Sequence, residues 1–163
     1  MRTFVVGDIH GAFRALRQCF ERSGFNKEED RLIALGDVCD GWPEVRESVD
    51  ELLSLKHCDY ILGNHDIWAL AWARDGVQDK LWLSQGGHNT IRSYPGGIPE
   101  EHISFLANAR PFMEDSKRLF VHAGFDPDRP VFGQSVETLA GDRDFLVKAF
   151  TRNQRDPAFR FGG

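Results

Sequence analysis

Thr3-Phe4-Val5-Val6 runs straight into Gly7-Asp8-Ile9-His10-Gly11. A β-branched and aromatic run that stops at Gly-Asp reads as a short buried strand ending in a turn. The figure returns twice. Arg31-Leu32-Ile33-Ala34-Leu35 stops at Gly36-Asp37, and Tyr60-Ile61-Leu62 stops at Gly63-Asn64. Between these strands lie two helical patterns. Ala12 to Arg22 places Phe13, Leu16, Cys19 and Phe20 at helical spacing; Glu44 to Lys56 does the same with Val45, Val49, Leu52 and Leu53, opened by Pro43. Strand, helix, strand, helix, strand predicts a mainly parallel sheet with covering helices.

Further along, helices are expected over Ile67 to Arg74, Gln78 to Ser84, Pro99 to Asn108 and Asp142 to Arg152, with a late strand at Arg118 to His122. Loops are expected at Gln85-Gly86-Gly87 and Tyr94-Pro95-Gly96-Gly97. The length of 163 residues fits one domain spanning 1–163, with a helical insertion or cap at about 75–115. Twenty basic against twenty-five acidic residues give a net charge of -5, which argues against a nucleic-acid partner. No apolar run approaches the roughly 18 residues of a membrane span, and no signal peptide is legible. Cys19, Cys39 and Cys58 are an odd number in a chain large enough to fold without disulfides, as expected of reduced thiols in a cytoplasmic protein.

Chemistry gathers at the strand ends. Gly7-Asp8-Ile9-His10-Gly11, Gly36-Asp37-Val38-Cys39-Asp40-Gly41, Gly63-Asn64-His65-Asp66 and Val121-His122-Ala123-Gly124 each carry metal-ligand types. One Gly-Asp after a strand is an ordinary turn. Four such turns bring Asp, His, Asp, Asn and His to one rim, because ligands bind outside the carboxyl ends of strands in an open α/β sheet. Mixed oxygen and imidazole donors suit Mn, Fe or Zn rather than a thiolate site.

In order and wording these four segments resemble the calcineurin-like metallophosphoesterase superfamily, and within it most closely the bacterial and bacteriophage serine/threonine phosphoprotein phosphatases. The resemblance implies an α/β fold, a mixed β-sandwich flanked by helices in four layers. It implies two divalent metal ions, Mn first, with Fe, Zn or Mg as alternatives. Asp8 and His10 would hold one metal, Asp37 would bridge, and Asn64 and His122 would hold the other. Two cations about 3.5–4 Å apart need a shared anion, activate a water and stabilise an in-line displacement. His65, paired with Asp40, would be the general acid. Phosphoserine or phosphothreonine in proteins is then the first expected substrate. A symmetrical diadenosine tetraphosphate hydrolase, or another small phosphoesterase, is the alternative.

Several residues depart from the pattern. The second motif continues Gly41-Trp42-Pro43 where the phosphatases have arginine, and Leu62 stands where many have another. Leu62 is closer to the dinucleotide hydrolases. Arg143, in Asp142-Arg143-Asp144, is the expected replacement phosphate contact, with Arg92 and Arg110 behind it. Trp42 is expected to line the cleft and stack on a substrate ring. His57, His88 and His102 match no motif and read as surface or loop residues. Trp68, Trp72 and Trp82 read as packing. Cys39 reads as a buried filler. The closing Gly-His of the superfamily does not follow His122 before Arg160-Phe161-Gly162-Gly163. The expectation is therefore a chain truncated at its C-terminus, or a natively incomplete site that makes a metal-binding pseudo-enzyme the second alternative.

Overall fold

The computed structural model describes residues 1–155. Strands β1 (Thr3–Val6), β2 (Arg31–Ala34) and β3 (Cys58–Tyr60) form a parallel sheet in the order β1-β2-β3. The register pairs Val5 with Ile33, and Ile33 with Asp59. Parallel neighbours need crossovers. Helices α1 (Phe13–Ser23) and α2 (Val45–Leu53) supply them, close to the spans that the apolar spacing predicts.

After β3 the chain forms α3 (Asn64–Asp75), the short α4 (Lys80–Trp82), a kinked connection (Leu83–Gly87), α5 (His88–Ser93) and α6 (Glu100–Ala107). Gln85-Gly86-Gly87, expected as a loop, breaks the helical path, with non-helical backbone at Gln85 and at Gly86 (φ +102°). The stretch expected as an insertion or cap sends Tyr94, Ile98 and Leu106 into the same core as Leu32 and Val49. An antiparallel hairpin follows, β4 (Phe112–Asp115) with β5 (Arg118–Val121). Strand β4 is not legible in the sequence. Its turn residues are Ser116 and Lys117, without the Asn-Gly or Asp-Gly signature, although Ser116 still adopts φ +58°. Helices α7 (Val136–Gly141) and α8 (Asp144–Arg155) complete the described chain, where one helix from Asp142 is expected. The chain end at 160–163 lies outside the described residues.

Alternation along the strands sorts two cores. Leu32, Ala34 and Tyr60 face Leu16, Phe20, Val49, Leu52, Ala69 and Leu106 of the helices. Ile33 and Ile61 face the opposite way, onto Met113 and Phe120 of the hairpin. Arg31 ties the layers by ion pairs of 2.7 Å to both Asp59 and Asp115. Among the described residues the order is thus helices, parallel sheet, hairpin. The hairpin takes the second face of the sheet, as the second sheet of the expected sandwich does. It covers Ile33 and leaves Val5 52% exposed, so β1 is an open edge strand rather than a buried one.

Candidate metal centre

Three backbone turns meet beyond the carboxyl ends of β1, β2 and β3. Ile9 and His10 both donate their N–H to the Asp37 carbonyl (3.0 and 2.8 Å), and Gly11 donates to that of Val38 (2.9 Å). The first and second motifs are therefore stitched together by main chain. His10, Asp37 and Asp40 hold positive φ of 47°, 53° and 70°, a left-handed conformation that non-glycine residues adopt chiefly where the surroundings impose it.

Asp37 is the centre of the arrangement. It is buried, and its Oδ1 accepts the His65 N–H from the first turn of α3 (3.0 Å). Its Oδ2 lies 3.2 Å from His122 Nε2 and 3.7 Å from His10 Nε2. Burial opposes charge on this carboxyl, but the hydrogen bond and charge of His122 outweigh it and hold it below the ordinary range. Burial likewise opposes charge on His122, yet Asp37 raises that imidazole to about 9. A divalent cation competes for the place of such a proton.

The imidazoles are oriented from behind. His122 Nδ1 donates to the Leu35 carbonyl (2.6 Å), and His10 Nδ1 to the Cys39 carbonyl (2.8 Å). Each ring then turns Nε2 toward the carboxylates, an arrangement typical of metal-ligating histidine. Two donor groups result. His10, Asp37 and His65 form one; Asp8, Asp37 and His122 form the other, and in each the donor atoms lie within 4.8 Å of one another. Asp37 belongs to both. Asp8 groups with His122 rather than with His10 alone, although His10 Nε2 is also 3.9 Å from its Oδ2. Asn64 is half-buried at the first position of α3, between Gly63 and His65.

Asp66 holds the platform. Its Oδ2 accepts from the N–H of Asp37 (3.0 Å) and Gly63 (3.0 Å) and from the Tyr60 hydroxyl (2.8 Å). Its Oδ1 accepts from the N–H of Val38 (3.1 Å) and Cys39 (3.3 Å). Burial, and then the charge of Asp37, push its carboxyl up to about 6. Asp66 has no expected role, yet the signal is present. It is the third residue of a helix entered from Gly63, where a carboxylate reaches back to the capping N–H.

Asp40 is fully buried, and its Oδ2 accepts from His65 Nδ1 at 2.6 Å. Burial opposes charge on His65, but the hydrogen bond to Asp40 raises its pKa overall. Trp82 Nε1 and the Thr90 hydroxyl also donate to Asp40. Trp82 is therefore more than packing. Trp68 meets the His65 ring edge-on at 4.8 Å.

Other expected residues fall elsewhere. Trp42 is 65% exposed; its N–H donates to the His10 carbonyl (2.7 Å) and its ring borders a shallow cavity of about 420 Å³ with Ala12, Ala15 and Pro43. Arg143 is exposed just before α8 and makes no hydrogen bond or ion pair with the residues described above, among the described residues. Arg110 pairs with Asp59 at 3.4 Å, and Arg92 is exposed on α5. His102 is not a surface residue. It is buried between the Tyr94 hydroxyl and Asp50, 2.9 Å from each. His57 and His88 are exposed as expected. Cys39 is fully buried and its thiol is pushed well up by burial, so it is an inert filler.

A rim of carboxylates and oriented imidazoles at the ends of parallel strands defines a metal-binding α/β protein. The family model described as calcineurin-like phosphoesterase matches residues 1–157, and the chain belongs to that family. A symmetrical bis(5'-nucleosyl)-tetraphosphatase of Buchnera aphidicola is 33% identical over 130 residues, covering 78% of this chain and 46% of that protein. The protein of the same description from Nitrosomonas europaea is 27% identical over 150 residues, covering 88% and 54%. The chain thus spans about half the length of these curated relatives. A crystal structure described as a putative diadenosine tetraphosphatase superposes with a TM-score of 0.65 at 26% identity, over 85% of this chain and 57% of that one. A metallophosphoesterase from Sphaerobacter thermophilus shares the fold, with a TM-score of 0.57 at 20% identity, over 80% of this chain and 49% of that one. The names of these relatives match the small-phosphoester expectation rather than the protein-phosphatase one.

Proposed function

We propose that this chain hydrolyses small phosphoesters and phosphoanhydrides, with dinucleoside tetraphosphates as its substrate class, using two divalent cations of which Mn²⁺ is the first candidate. The observation that carries the reading is Asp37, one carboxylate shared by two donor groups. The substrate class is supported by the names of the relatives and by Leu62 in place of a phosphate-binding arginine.

In this reading Asp8, His10, Asp37, Asn64 and His122 hold the cations, which when bound supply Lewis acidity toward the phosphoryl group and acidify a water. The protein's own residues do the rest. Leu35 and Cys39 carbonyls fix the His122 and His10 tautomers. Asp40 orients His65 through Nδ1, which leaves Nε2 to protonate the leaving oxygen. Trp42, exposed beside His10, offers a face for a purine ring, and Trp42→Ala then raises KM for a dinucleotide while sparing para-nitrophenyl phosphate. Arg143 remains the candidate contact for a distal phosphate.

The test compares diadenosine tetraphosphate with a phosphoserine peptide under Mn²⁺, Mg²⁺ and chelator. Metal-dependent cleavage of the dinucleotide, lost in Asp37→Asn, is expected. Faster cleavage of the peptide overturns the substrate class. Two bound cations with no turnover on either substrate would instead leave a metal-binding module.

A further inference from the structure

We infer that Trp82 and Thr90 are positioning residues for the proton donor, acting through Asp40 on His65. The inference rests on the general-acid reading of His65 given above. Asp40 has no exposed surface, and its carboxylate meets three donors. Trp82 Nε1 donates to Oδ2 at 2.8 Å, His65 Nδ1 to the same oxygen at 2.6 Å, and the Thr90 hydroxyl to Oδ1 at 2.6 Å. The Asp40 N–H in turn donates to Thr90 Oγ1 at 2.9 Å.

The donor inventory removes ambiguity. An indole N–H only donates. The Thr90 oxygen already accepts from the Asp40 N–H, so its single proton goes to Oδ1. Both carboxylate oxygens are thereby held by groups that cannot reverse, and the carboxylate plane is set. The remaining ligand of Oδ2 is His65, whose ring also lies edge-on to His10 at 4.6 Å between centroids.

The chain makes a special local structure to deliver these donors. The kinked connection Leu83–Gly87, non-helical at Gln85 and Gly86, sits between Trp82 and Thr90 and turns both toward Asp40. At Gly87 a Cβ would lie 2.6 Å from the indole Nε1, so only glycine lets the Trp82 ring pass there. At Gly86, with φ +102°, a Cβ would lie 2.9 Å from the Gly41 Cα, beside Asp40. Burying a carboxylate requires hydrogen-bond partners in any protein. Here the partners come from residues 42 and 50 positions away and fix the one carboxylate that aims an imidazole.

In the step concerned, water oxygen bonds to phosphorus as the bond from phosphorus to the leaving oxygen breaks. The electron pair goes to the leaving oxygen, which takes the proton from His65 Nε2. The proton lost by the attacking water passes to bulk solvent, and His65 Nε2 regains a proton from solvent after the product leaves, so the cycle is neutral in protons. A misaimed His65 therefore slows esters whose leaving group must be protonated and spares those that depart as stable anions.

The experiment uses Trp82→Phe, Thr90→Val and Thr90→Ser, with His65→Asn as reference, on para-nitrophenyl phosphate and β-glycerophosphate. General acid catalysis contributes about 10²–10⁴-fold, so His65→Asn should lose roughly that on the alkyl ester and far less on the aryl one. Trp82→Phe and Thr90→Val should each lower kcat on the alkyl ester by about 10-fold or more, within that range, with KM and the aryl ester nearly unchanged. Thr90→Ser, which keeps the hydroxyl, should restore it. In the metal-free protein, nitrogen-resolved imidazole spectra should show the His65 Nδ1 proton signal shifted in Trp82→Phe and Thr90→Val and restored in Thr90→Ser. Equal losses on both esters, or an unchanged His65 signal, overturns the positioning role. If His65→Asn itself shows no preference between the esters, the general-acid reading fails and the inference falls with it. A selective His65→Asn beside unselective Trp82→Phe and Thr90→Val overturns the inference alone.

Discussion

Gly7 and Gly63 look alike in sequence, each closing a strand before a metal-ligand residue, yet they should respond very differently to alanine. A Cβ on Gly7 meets nothing within 4 Å. A Cβ on Gly63 would fall against Asp37, 2.8 Å from its Cγ and 2.5 Å from its N. Ordinary van der Waals contact needs about 3.5–4 Å, so Asp37 must retreat by roughly 1 Å. That movement breaks two hydrogen bonds, Asp37 N–H to Asp66 (3.0 Å) and His65 N–H to Asp37 (3.0 Å). At about 1–1.5 kcal/mol each the loss is roughly 2–3 kcal/mol. A protein of this size changes Tm by about 2–4 °C per kcal/mol. Gly63→Ala should therefore unfold about 4–12 °C lower than wild type in chelator, while Gly7→Ala stays within about 2 °C, the scale of a neutral surface change. Because Asp37 serves both donor groups, Gly63→Ala should also weaken Mn²⁺ binding by calorimetry. Scanning calorimetry of the three proteins decides the matter. Equal Tm values for the two variants would refute the claim that the glycine at 63 is required by the approach of Asp37.

Saturating Mn²⁺ at about 100 times its Kd should stabilise wild type by roughly 2.7 kcal/mol, seen as a rise of about 5–11 °C in Tm; Asp37→Asn should remove the rise and leave the fold intact by circular dichroism. Ile33 and Val5 are register partners on one sheet face, but Ile33 is fully buried and Val5 is not. Ile33→Ala should cost about 2–5 kcal/mol in urea unfolding, and Val5→Ala less than about 1 kcal/mol. Asp30 accepts from the Arg2 guanidinium, the Arg2 N–H and the Asn26 N–H. The Arg2 hydrogen bond, then that of Asn26, hold its carboxyl well below the usual range. Its contribution is present above the unfolded carboxylate pKa and is lost as pH falls toward the folded value, so Asp30→Asn should flatten the acid limb of a Tm-against-pH curve and lower Tm at neutral pH.

The metal rim was readable because its chemistry is local. Asp8 and Asp37 sit two residues, and His65 three, beyond strand ends that apolar spacing identifies, and the parallel topology then brings them together. The support behind the rim is not local. Trp82 and Thr90 reach Asp40 across 42 and 50 residues, around a Gln85-Gly86-Gly87 loop that is legible without revealing what it delivers. His102 shows the same limit. Its neighbours Glu100 and Glu101 suggest solvent, while its partners Tyr94 and Asp50 come together only when α6 packs near α2. Strand β4 was hidden by an unremarkable Ser-Lys turn. Arg143 is the opposite case: its place after Ala123-Gly124 suggests the rim, while its exposed side chain makes no hydrogen bond or ion pair there among the described residues.

The strained turns explain why so much support lies behind the five proposed ligands. Left-handed backbone at His10, Asp37 and Asp40 costs about 1–2 kcal/mol per residue. Each strained residue is held by hydrogen bonds independent of any cation. His10 bonds the Cys39 carbonyl and receives the Trp42 N–H. Asp37 gives its N–H to Asp66, and Asp40 gives its N–H to Thr90. The strain is thus offset within the protein. Cations then meet donors already aimed by Leu35, Cys39 and Asp66, and their binding need not order the backbone. It follows that removing a ligand side chain, as in Asp37→Asn, should cost cations more than fold. Moving a backbone support, as in Gly63→Ala, should cost both.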